Sequence, residues 1–211
     1  MGLLKLTTEN APAAPAAGTV TTYIDTATVP TLRMVDSGGN DRQVGPIFNA
    51  SAAGQTPAAT TRTYVTGSNI TVPVAKLKVG AIYRCGFAMT KTGAGTATST
   101  IDVCVGTAGT TADTARLSFT KPAGTGVIDE GWVDIEVVVK TIGASGVIVG
   151  EINVGHNLAT TGHMGQQQFI ATVTSGTFDT TVANLIIGTC ITTGASDAIT
   201  ISQCQAQLCN N

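Results

Sequence analysis

Trp132-Val-Asp-Ile-Glu-Val-Val-Val-Lys-Thr-Ile142 alternates in polarity. Val133, Ile135, Val137 and Val139 fall on one side, and Asp134, Glu136, Val138 and Lys140 on the other. Successive side chains of a strand point to opposite faces, so this pattern predicts a half-buried antiparallel strand, apolar toward a core and ionic toward water. Nowhere in the chain is a helical period sustained. The fold class expected is therefore all-β.

Further strands follow at regular spacing on both sides of this stretch. Upstream, residues 70–74, 81–90, 96–105 and 114–120 read as strands. Downstream, 147–154, 166–174, 183–192 and 198–208 do so. Between them lie turn formers: Lys91-Thr-Gly-Ala-Gly95, a Gly/Thr loop at 106–112, Pro122 to Gly126, Gly143-Ala-Ser-Gly146 and Gly194-Ala-Ser-Asp197. Short strands with turn signals every 8–12 residues or so mark a sandwich. An antiparallel jelly-roll-like β-sandwich over residues 69–211 is the architecture expected.

Three segments precede it. Residues 1–17 read as an extended arm, in which Leu3, Leu4 and Leu6 form an apolar tip while Pro12 and Pro15 hold the chain extended. Residues 18–48 read as a small β-hairpin adaptor of short strands at 19–25, 31–35 and 41–44, with Tyr23 in the first and the turn Asp36-Ser-Gly-Gly-Asn40. Residues 49–68, rich in Ala, Ser, Gly, Thr and Gln, read as a linker.

Composition narrows the function. Charged residues make up 11% of the 211 residues, against about 25% in ordinary globular proteins. From Thr141 to Asn211 there is no Lys or Arg, and the only acids are Glu151, Asp179 and Asp197. Thr takes the place of charge, since its hydroxyl keeps an exposed strand wet and its branched Cβ favours β structure. Sheet faces so poor in charge are expected to be covered by copies of the same chain or by a large neighbour. A net charge of −2 argues against a nucleic-acid partner, which needs a clustered basic face. The apolar runs are too short and broken for a membrane helix. The start, Met1 to Leu6, fits neither a secretory signal nor a myristoylation pattern.

Chemistry has few footholds. Asp134 and Glu136 share a strand face, but with Lys140 and Val138 beside them they read as a solvated side and not as a glycosidase pair. No GxSxG elbow and no phosphate loop is present. Five cysteines in no CxxC arrangement read as buried thiols, with a pair bridged across neighbouring strands or chains as the sharper alternative. Trp132 reads as closing one end of the core, with stacking on a sugar as its alternative. His156 and His163 flank the loop 155–165 and are candidates for an axis or ligand-facing position, although no carboxylate in that loop completes a metal site. No catalytic residue, cofactor or metal is expected.

Several stretches resemble a β-rich domain recurrent in virion proteins of tailed bacteriophages. They are Lys91-Thr-Gly-Ala-Gly-Thr-Ala97, Gly106-Thr-Ala-Gly-Thr-Thr-Ala-Asp-Thr-Ala-Arg116, Gly155-His-Asn-Leu-Ala-Thr-Thr-Gly162 and Thr174-Ser-Gly-Thr-Phe-Asp-Thr-Thr-Val-Ala-Asn184. The stretch 12–44, with Pro15, Gly18, Tyr23 and the Asp36-Ser-Gly-Gly turn, resembles the short adaptor hairpin that often precedes such domains. The resemblance implies a non-enzymatic virion component, commonly a homotrimer, assembled in the host cytoplasm. The lack of a repetitive shaft favours a capsid decoration or cement protein bound to the major capsid protein or another virion protein. Leu3, Leu4, Leu6, Pro12, Pro15 and Tyr23 are the docking residues expected. A tail fibre or receptor-binding protein contacting host glycans is the alternative, and a carbohydrate-active module comes third.

Overall fold

The computed structural model describes residues 13–25, 31–37, 41–43, 45–72, 77–93, 95–196 and 198–209. Among them every regular element is a strand. All pairings between strands are antiparallel. The chain runs β1 (Val20–Asp25), β2 (Thr31–Asp36), β3 (Asp41–Gln43), β4 (Ile47–Ser51), β5 (Thr63–Tyr64), β6 (Ile70–Thr71) and β7 (Ile82–Lys91). It continues through β8 (Ser99–Gly106), β9 (Thr114–Lys121), β10 (Asp129–Thr141), β11 (Val147–His156), β12 (Gln168–Thr174), β13 (Ile186–Thr192) and β14 (Ile199–Cys209).

Strands β1 to β3 form a meander that pairs only with itself. The remaining strands make two sheets. The first has the order β12-β11-β10-β7-β14-β4, and the second β5-β13-β8-β9 with β6 also on β13. The pairing is nested: β4 takes β14, β5 and β6 take β13, β7 takes β10, and β8 takes β9. The hairpin β11–β12 falls between β10 and β13 in the chain and widens the first sheet.

The two sheets face each other as a sandwich, with β9 meeting β11 and β12 across the interface. Alternation supplies the core as expected. Val133, Ile135, Val137 and Val139 of β10 are buried beside Tyr83, Phe87 and Met89 of β7 and Leu117 and Phe119 of β9. In β14 the alternation changes phase. Ile199 and Ile201 face inward, and then Cys204, Ala206 and Leu208 do. A bulge between Ile201 and Gln203 inserts the extra residue that permits this.

Residues 49–68 depart from the linker expected. Residues 47–51 are a strand on the free side of β14, and Thr63–Tyr64 pairs with β13. Between them Gln55 bridges Ile201 and Ala59 bridges Thr193. The small, polar composition that suggests a linker also suits a strap laid over two sheet edges. The strap is held from inside. Ser68 Oγ donates to Val65 O (2.6 Å), Tyr83 Oη donates to Ser68 O (2.7 Å), and Thr189 N donates to Ser68 Oγ (2.9 Å). The sandwich thus begins at β4 and not at residue 69.

Candidate functional site

Three neighbouring rows of outward residues cross the middle of the six-stranded sheet. Phe48, Gln207, Arg84, Glu136, Glu151 and Thr172 make the first. Ala50, Gln205, Gly86, Asp134, Asn153 and Ile170 make the second. Gln203, Ala88, Trp132, Gly155 and Gln168 make the third. Gly86 and Ala88 lie in the middle, so the face is concave there. A groove of about 430 Å³ lies over Gly86 between Phe48 and the acids, and a second depression of about 340 Å³ adjoins it beside Trp132.

Apolar surfaces and hydrogen-bonding groups meet in this groove. Phe48 is 69% exposed and Trp132 45% exposed. Trp132 therefore does not close the core: its even-numbered position puts it on the outer face. Its indole lies over Gly155, where any Cβ would collide with the ring. Asp134 leans over Gly86, its Oδ1 3.2 Å from where a Gly86 Cβ would stand. Arg84 Nε donates to Glu136 Oε2 at 2.7 Å. That pair offsets the like charge of Glu151, directly opposite Glu136 on β11. Gln168 Nε2 donates to Asn153 Oδ1 (2.8 Å), fixing the far rim. The result is two adjoining polar depressions, one rimmed by Phe48 and the other by Trp132, each pairing an aromatic face with hydrogen-bonding groups.

The histidines expected in a ligand-facing loop are buried instead. His156 is the last residue of β11 and donates from Nε2 to Gln166 O (2.6 Å), while its Nδ1 lies 2.5 Å from Asp129 Oδ2. His163 donates its backbone N–H to the same carboxylate oxygen at 3.2 Å. Lys121 Nζ donates to Pro122 O and His163 O, and Lys91 Nζ donates to Gly93 O and Thr125 O. Asp129, Lys91 and Lys121 are themselves buried. Burial works to raise the Asp129 pKa, but the His156 contact and the His163 N–H outweigh it and hold the carboxyl below its ordinary value. Burial, reinforced by the Lys121 ammonium, pushes His163 down to about 4. This cluster ties the loops 122–128 and 157–167 to the ends of β7, β9, β10 and β11. Among the described residues no group of His, Cys, Asp or Glu is arranged to hold a metal.

Of the docking residues expected, Leu3, Leu4, Leu6 and Pro12 lie outside the described residues. Pro15 is half-buried ahead of the meander. Tyr23 is buried, so its ring is not offered to a partner. Asp134 and Glu136 stand on a solvated face as expected, but they help to line a groove. Phe48, Asn153 and the glutamines were not singled out from sequence. The period-two repeat Gln203, Gln205, Gln207 was the available signal, since it places three amides on one strand face.

No family model matches this chain, and no match was found among curated proteins or solved structures.

Proposed function

We propose that this chain is a non-enzymatic structural subunit of a phage virion, a capsid decoration protein that docks through its N-terminal region and associates with copies of itself through the sandwich. The nested strand pairing supports reading that sandwich as a jelly roll. The observation that carries the proposal is the edge at β12, which among the described residues has no strand on its outer side. Gln168-Phe-Ile-Ala-Thr-Val-Thr174 ends the six-stranded sheet and has no charge, no Pro and no Gly. Its Ile170 is 58% exposed. Isolated proteins blunt such edges with Lys, Pro or bulges, because unpaired N–H and C=O groups recruit other strands. A second copy of the chain is the occupant that suits an edge left open, and closed symmetry then hides it. The separate pairing of β1 to β3 supports a distinct docking unit. Binding only to the assembled shell then stabilises that shell by mass action.

Sedimentation and particle co-purification test this. The full chain is expected to sediment as an oligomer, a trimer by the family resemblance. Ile170→Lys is expected to give a folded monomer. Removal of residues 1–17 is expected to leave the oligomer and abolish particle binding. A monomeric parent with no affinity for any phage particle rejects the proposal.

A receptor-binding role is favoured by one feature, the groove between Phe48 and Trp132. On that reading a glycan array gives hits that Trp132→Ala weakens about tenfold, and copy number per particle is a handful in place of hundreds.

A further inference from the structure

The second sheet carries a constellation that the proposed role does not use. Cys104 on β8 lies opposite Gly188, and Cys190 on β13 lies opposite Asp102. The two cysteines are diagonal neighbours on the sheet's outer face, both fully buried. Their Sγ atoms are 2.7 Å apart. That is closer than two thiols rest in ordinary contact, and not far from the about 2.05 Å of a covalent bridge.

What buries them is a roof from the strap. Tyr64 lies over Gly188, where a Cβ would overlap its phenol. Arg62 Nη2 donates to Cys104 Sγ at 2.8 Å. The same guanidinium is held by Asp113 O (3.1 Å) and Thr111 O (3.3 Å), and its Nε stands 3.3 Å from Asp102 Oδ2. Ser118 Oγ donates to the other oxygen of that carboxylate at 2.6 Å. Arg62 is thus a fixed cation beside two touching sulfurs, the setting that turns a thiol into a nucleophilic thiolate.

A second pair, Cys85 on β7 and Cys204 on β14, is also diagonal in the other sheet but in the opposite sense: Cys204 lies two residues before Ala206, the partner of Cys85, whereas Cys190 lies two residues after Gly188, the partner of Cys104. Its sulfurs are 3.9 Å apart and face the apolar core between the sheets. The two dithiols therefore differ in the sense of their diagonal, in separation, in surroundings and in the presence of a guanidinium.

The geometry points to Cys104 and Cys190 as an oxidisable dithiol, closed to a cross-strand disulfide by a small peroxide, with Arg62 activating the sulfurs. Cys104 donates its S–H toward Cys190, so when the pair loses one proton the charge is carried by Cys190, the accepting sulfur. That hydrogen bond holds the Cys190 pKa below its usual value, while Cys104 is pushed up by the same contact. The Cys190 thiolate attacks one oxygen of hydrogen peroxide. The O–O bond breaks, hydroxide leaves and takes up a proton, and Cys190 becomes a sulfenic acid. Cys104 sulfur then attacks the sulfenyl sulfur. The S–O bond breaks, and the departing hydroxide leaves as water with the Cys104 proton. Two thiols and one peroxide give one disulfide and two waters. The bridge stitches β8 to β13 in the middle of the second sheet, a staple open while the protein is reduced and closed after exposure to oxidant.

Folded protein treated with a small excess of hydrogen peroxide, then denatured and alkylated, tests this. We expect a mass loss of about 2 Da before alkylation. Titratable thiols should fall from five to three, and one cross-linked peptide pair should contain Cys104 and Cys190. The Cys85→Ala variant should still form the link, and Arg62→Gln should form it about tenfold more slowly, because less thiolate is present. Peptide mapping of the unsubstituted protein carries the decision if either variant fails to fold. Five thiols persisting after prolonged exposure, or a link formed at Cys85 and Cys204 instead, overturns the assignment. An unchanged rate in Arg62→Gln overturns the role given to the guanidinium.

Discussion

His163 shows how one buried side chain makes a whole fold pH-sensitive. Its ring sits edge-on to His156, with centroids 6.3 Å apart, and it is held down to about 4 by burial and by Lys121. In the unfolded chain the same imidazole takes a proton near 6.5. Between those values the unfolded state binds a proton that the folded state refuses, so stability falls as pH falls through that window and is flat above it. The loss expected by pH 4 is about 2–3 kcal/mol. Asp129, whose carboxyl is held below its ordinary value, adds its own loss only at lower pH, as that carboxylate is protonated. Urea melts at pH 7 and pH 4.5 check this: the parent should lose stability, and His163→Gln should lose much less over the same interval. Equal losses in both proteins would contradict the account.

Strand β11 shows what the close approach of two sheets demands of sequence. Gly150 faces inward, and a Cβ there would meet Leu117 Cδ1 from β9 and, at 3.2 Å, Val137 Cγ2 from β10. Gly150→Ala should therefore destabilise by about 1–3 kcal/mol, as overpacked cores do, although alanine is the better strand residue in isolation. A chemical melt with unchanged cooperativity checks it. The same strand shows the limits of pattern reading. Its outward residues Glu151, Asn153 and Gly155 look like an ordinary solvated face in the sequence. They become one wall of a groove only because β10 places Glu136, Asp134 and Trp132 beside them in register. The short strands β4 and β5 were illegible for a related reason. Ile47–Ser51 and Thr63–Tyr64 take their conformation from the free edges of β14 and β13, and an edge contributed by residues about 150 positions away leaves no local trace.

Taken whole, the molecule is a self-paired meander followed by a sandwich with its own core, since no strand of 20–43 joins either large sheet. Removing residues 1–44 should accordingly leave the sandwich folded, with a thermal midpoint within a few degrees of the parent's. Loss of cooperative melting in that truncation would mean that the meander is part of the sandwich's stability. The charge distribution also has meaning at this level. The C-terminal 71 residues, empty of Lys and Arg, supply β11 to β14. Charge on the outer face of the six-stranded sheet lies on β7, β10 and β11, at Arg84, Glu130, Asp134, Glu136, Lys140 and Glu151, and is absent from the edge strand β12.

Period-two alternation fixed which segments are strands and which of their faces are buried, because a pleated strand sends neighbouring side chains to opposite sides whatever its partners. It carried the inward set of β10 by itself, and the other strands from residue 81 onward together with the turn residues that separate them. Strand order, the strap, the groove and the two cysteine pairs lie beyond its reach. Each is a meeting of residues distant in the chain, selected by the energy of packing two sheets together. Local sequence records a residue's preference for a face, and the fold alone records what stands across from it.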